Sequence, residues 1–172
     1  MQINFYPEYD NSDFEKAAKE YANIWSEEGQ RITETIEKIS GLKFREKTIN
    51  AVIHNRISYS HPLQLQTGLS LEEKRGTITH ELCHRLLLAN EIKWEKIKGK
   101  NGFYLLAHRP VDLILYDIWI KLYGENFAKK HVKYEIALWD VKGISPYKIA
   151  WDWALGMTKD KRHQEFQKYL QK

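Results

Sequence analysis

A chain of 172 residues is long enough to bury a core as a single domain without disulfides or other staples. Its 42% hydrophobic and 29% charged residues exclude a disordered chain, and no run of eighteen apolar residues or signal-like N-terminus is present, so a soluble, cytoplasmic protein is predicted. The net charge of +4 is spread along the sequence and permits nucleic-acid contact without requiring it, while the single Cys83 excludes an internal disulfide.

The first predicted helix opens at Ser12, where Ser12 and Glu15 have the spacing of a capping box. Phe14, Ala17, Ala18, Tyr21, Ile24, Trp25, Ile32, Ile36 and Ile39 follow at three-four spacing, and Gly41 stands where a C-terminal cap belongs. Gly29 is a point where that helix could bend or break. Residues 48–67 change pattern: TINAVI is rich in β-branched side chains, and Ile57, Tyr59, Leu63 and Leu65 alternate with polar partners. They predict a small, early, mainly antiparallel sheet, with His61 and Pro62 at a turn or edge.

Ser70 and Glu73 repeat the capping-box signature, and a helix is predicted from Leu71 to about Asn90, burying Leu71, Ile78, Leu82, Leu86 and Ala89. Cys83 within it reads as a small buried residue. After the loop KIKGKNG, an amphipathic helix runs from near Ala107 to Ala128 with Leu115, Ile118, Trp119 and Leu122 inward. Shorter helices are expected around 131–141, 146–157 and 159–171, the basic stretches 129–133 and 159–172 being solvated faces. The fold class is α+β, mostly helical, in one domain over residues 1–172.

The second helix carries THELCH, residues 79–84. Positions four apart share a helix face, so His80 and His84 can direct two imidazole nitrogens at one ion. Zinc suits neutral imidazoles at about 2.0–2.1 Å and takes them tetrahedrally. Glu81 is offset by about 100° from His80, toward the open coordination position. A carboxylate there can act as general base on a water whose pKa the metal lowers to about 7, then pass the proton to a leaving amine.

Two histidines leave the site incomplete. AHRPVDLILYD offers His108 as third ligand and Asp112, four residues on, as the group that orients a ligand; the reverse assignment keeps Asp112 as ligand. Pro110 disfavours helical geometry at Arg109, so the direction of His108 depends on where its helix starts. His54 and His61 are expected at the surface or in turns, and His131 and His163 on solvated helices. Tyr147, just after Ser145–Pro146 at a helix start, is a candidate transition-state stabiliser.

THELCH with a downstream histidine helix resembles the zincin metallopeptidases. The pairing of a later ligand with an acidic residue four positions on is similar to the gluzincin pattern, with His108 in place of its glutamate; a distant third histidine is more similar to the SprT-like group. Leu87 and Asn90 stand where the metzincin pattern has glycine and histidine. The resemblance covers about Ser70 to Asp117. It implies one Zn2+ ion on His80, His84 and His108, Glu81 as general base, and hydrolysis of peptides or proteins, as an endopeptidase more than an exopeptidase, by a monomer with no membrane association. The region 48–67 would then offer a strand edge to an extended peptide. The alternative is a zincin-like regulatory or binding module that keeps the metal site and docks a protein or DNA through its basic C-terminal segment. A purely nucleic-acid-binding protein is the poorest reading, because no clustered basic and aromatic platform is present.

Overall fold

A computed structural model describes residues 1–94, 102–138 and 145–171. The fold is α+β, mostly helical, with a three-stranded sheet near the N-terminus. The chain divides into two compact units, Met1–Ala89 and Asn90–Lys172.

The first unit contains β1 (Gln2–Pro7), α1 (Ser12–Ser40), β2 (Thr48–His54), β3 (Leu63–Gln66) and α2 (Leu71–Ala89). Strand order is β1-β2-β3 and both pairings are parallel, which corrects the expected antiparallel arrangement. Two facts explain the difference. A strand at Gln2–Pro7 precedes α1, so the 29-residue helix becomes the crossover that parallel pairing requires. Then β3 pairs only with Ala51–His54, so residues 55–62 need carry the chain back only about 10 Å. The alternation around Ile57 and Tyr59 survives as one antiparallel bridge, Tyr59 to Gln64.

α1 buries Ala17, Ala18, Tyr21, Ile24, Ile32 and Ile36, as its periodicity predicts. Its N-cap is Asn11, whose side chain accepts from the Asp13 N–H at 2.8 Å, so the cap lies one residue before the expected Ser12. The helix runs unbroken through Gly29, where a Cβ would lie 2.7 Å from the Trp25 ring. The missing side chain at Gly29 makes room for that indole. At α2 the capping box forms as read: the Ser70 N–H donates to Glu73 Oε2 at 2.8 Å and the Glu73 N–H to Ser70 Oγ at 3.2 Å. Ile78, Leu82, Cys83 and Leu86 are fully buried, whereas Leu71, expected inside, is exposed.

The second unit contains α3 (Gly102–Tyr123), α4 (Glu125–Leu138), α5 (Pro146–Leu155) and α6 (Lys159–Leu170). The helix expected over Ala107–Ala128 divides at Gly124, whose φ of 92° is open to glycine and ends α3. α3 packs against the other three helices. Leu115, Ile118, Trp119 and Leu122 are buried as expected, and Trp119 stacks on Trp151 at 5.8 Å. Arg162 of α6 holds both oxygens of Asp117 at 2.9 and 3.0 Å. Most of the KIKGKNG loop and the predicted end of the helix over 131–141 lie outside the described residues.

Candidate metal centre

α2 places His80, Glu81 and His84 in its middle, nearly three turns or more beyond the Ser70 cap. His80 and Glu81 are buried and His84 is half-buried. The two Nε2 atoms stand 2.9 Å apart. Lone pairs of neutral imidazoles that converge so closely repel unless a proton or cation lies between them. Two nitrogens on one tetrahedral zinc would be separated by about 3.3 Å, so the pair needs only a few tenths of an ångström of opening.

The helix that holds the pair is tied down on both sides of the motif. Lys74, fully buried, donates to the Leu69 carbonyl and pairs with Glu20 at 3.1 Å. Thr79 Oγ1 donates to the Arg75 carbonyl at 2.8 Å, and Arg75 reaches Glu28 at 2.6 Å. Arg85, buried and next to His84, donates to both oxygens of Glu46 and to the Ser60 carbonyl. Sequence reading missed the Arg85 network, since Glu46 and Ser60 are remote in the chain and carry no motif.

α3 carries His108 and Asp112. The helix starts at Gly102 and passes through Pro110, so His108 is a helical residue and is buried. Its Nδ1 lies 2.8 Å from the Tyr104 carbonyl oxygen. A carbonyl only accepts, so Nδ1 carries the proton and Nε2 keeps its lone pair for an ion. This is the orienting bond that a ligating imidazole needs, supplied by backbone. The Tyr147 ring lies against His108, centroids 4.1 Å apart, and α5 starts at Pro146 as the sequence suggests, with Ser145 as its cap accepting from the Lys148 N–H.

Asp112 is completely buried, and neither carboxylate oxygen has a hydrogen-bond partner among the described residues. Burial, with the negative charge of Glu135 added, pushes its carboxyl well above the usual carboxylate range. Glu135 itself accepts from the Trp151 indole N–H at 2.9 Å.

Among the described residues, His80, His84 and His108 form the group of side chains suited to hold a metal ion, their ligand atoms all within 4.8 Å of one another. Three neutral imidazoles are a donor set that zinc accepts with one position left open. Two of the other histidines sit differently from expectation. His54 is fully buried, its Nδ1 accepting from the Arg56 N–H at 2.9 Å; burial, then the Arg56 charge, lowers its pKa. His131 is buried against Phe127 and Trp119, although its lysine neighbours are solvated. His61 and His163 are exposed as expected.

No protein-family model matches the chain, and neither a curated protein nor a solved structure matches it.

Proposed function

We propose that the chain is a zinc-dependent, zincin-like endopeptidase, with His80, His84 and His108 holding one ion and Glu81 as general base. One observation carries this reading: three histidine nitrogens within 4.8 Å of one another, two of them on one helix turn flanking Glu81. A zinc ion bound there supplies Lewis acidity, polarising a peptide carbonyl and acidifying water. The residues do the rest. Glu81, buried and adjacent to His80, takes the proton of the attacking water and delivers it to the departing amine. The Tyr104 carbonyl fixes the His108 tautomer, so that Nε2 is the donating atom. Tyr147, whose ring lies against that of His108, would donate its phenol to an oxygen gaining charge in the transition state.

Protein purified without chelator is expected to carry about one zinc per chain and to hydrolyse an unfolded substrate such as casein. Glu81→Gln should retain the zinc and lose the hydrolysis. Full activity in Glu81→Gln would move the chemistry elsewhere, and a chain that folds without ever binding zinc would end the proposal. No described feature favours the docking-module alternative: within α6, Lys161 and Lys168 both pair with Glu165.

A further inference from the structure

Neither β2 nor β3 offers a free edge to a peptide. β2 lies in the centre of the sheet, and in a parallel ladder alternate residues of an outer strand turn both their N–H and C=O groups outward. Thr67 donates to the His54 carbonyl, which assigns the odd positions of β3 to β2 and leaves Gln64 and Gln66 facing out. All four outward groups are taken within the chain. The Gln64 N–H and C=O pair with Tyr59 at 2.8 Å each. The Gln66 N–H donates to Ser58 Oγ at 3.0 Å, and the Gln66 carbonyl accepts from the Tyr21 hydroxyl at 3.1 Å.

Polar contacts tie the covering segment down. No residue of 55–62 is buried, and Ile57 and Tyr59 are exposed, so the segment itself adds no fully buried side chain to the core. Leu63 and Leu65, which anchor β3 itself, are fully buried and would stay. A further tie reaches the motif helix: the Ser60 carbonyl accepts from Arg85, the residue after His84.

We infer that residues 57–60 are a self-blocking strap that occupies the peptide-binding edge of β3 and must be displaced by an extended substrate. The inference rests on the peptidase reading. An incoming backbone that replaced Tyr59 would recover the same two bonds to Gln64 and exchange one strand for another. Arg85 joins the strap to the helix bearing His80, Glu81 and His84, so release of Ser60 alters a neighbour of the site.

The test is a reversible lock. Tyr59 and Gln64 are a hydrogen-bonded antiparallel pair, a position where the Cα separation of about 5.5 Å accepts a disulfide. Y59C/Q64C, with Cys83 fully buried, is assayed on casein with zinc, oxidised and after reduction. Oxidation is expected to lower the rate by about tenfold or more, with recovery on reduction, while S58A, which loses one strap bond, is expected to raise it about fivefold. Equal rates in oxidised and reduced protein, with S58A unchanged, would overturn the strap and leave the peptidase intact. No zinc-dependent hydrolysis in any form, wild type included, would overturn the peptidase reading and the strap with it.

Discussion

α2 and α3 each bury ionisable groups, and they treat them in opposite ways. In α2 the buried cations flanking the motif have close partners: Lys74 has Glu20 and the Leu69 carbonyl, and Arg85 has Glu46 and the Ser60 carbonyl. In α3, Asp112 is buried with neither oxygen partnered among the described residues. The contrast teaches that the motif helix is a fixed frame, in which the cost of burying charge is met by neighbours. α3 instead carries a carboxyl whose protonation the fold itself controls.

The frame is broken most severely by removing its ligands. His80→Ala with His84→Ala should lose the metal completely and reduce hydrolysis to the uncatalysed background, as read by metal analysis and a casein assay. Glu81→Gln comes next, with an expected loss of about 10²–10⁴ in kcat and no loss of zinc. Retained activity in either variant would show that α2 is a frame for nothing.

Glu46→Ala tests the frame's stability. Among the described residues, Arg85 would then keep a buried guanidinium with the Ser60 carbonyl as its hydrogen-bond partner, and because Glu46 is partly solvated the expected cost is about 2 kcal/mol, between exposed and fully buried pairs. Urea unfolding of the metal-free protein measures it, and a change below a few tenths would mean that the pair is ornamental.

A pH-dependent effect belongs to α3. With its folded pKa raised, the Asp112 contribution to stability is complete below the unfolded value of about 4 and declines as pH rises toward the folded pKa. Asp112→Asn has no such decline, so the metal-free variant should gain on wild type as pH increases from 4 to 8. Parallel stability profiles over that range would show that Asp112 is not held neutral.

How much of this the sequence discloses depends on whether the deciding contact is local. The α2 start was legible because Ser70 and Glu73 satisfy one another within a single turn. The direction of His80 and His84 followed from helix geometry alone. β1 was not legible: only Ile3 among Gln2–Pro7 is buried, so no alternation marks the strand. Without β1, nothing signalled that α1 is a crossover or that the sheet is parallel. His131 was hidden by Lys129, Lys130 and Lys133, whose charges describe the solvated side of a helix whose other side holds the imidazole. Pro110 argued locally for a helix start that the rest of Gly102–Tyr123 overrides. The role of Tyr104 could not be read because the group that orients His108 is a carbonyl, which every residue has.

The proposed function requires that His80, His84 and His108 share one zinc. X-ray absorption at the zinc edge of the loaded protein should give three imidazole nitrogens at about 2.0–2.1 Å and one light-atom position left to solvent. Loss of one imidazole from that shell in His108→Ala, with His80 and His84 still bound, completes the predicted result. A shell of two imidazoles in the wild type, unchanged in His108→Ala, would contradict it.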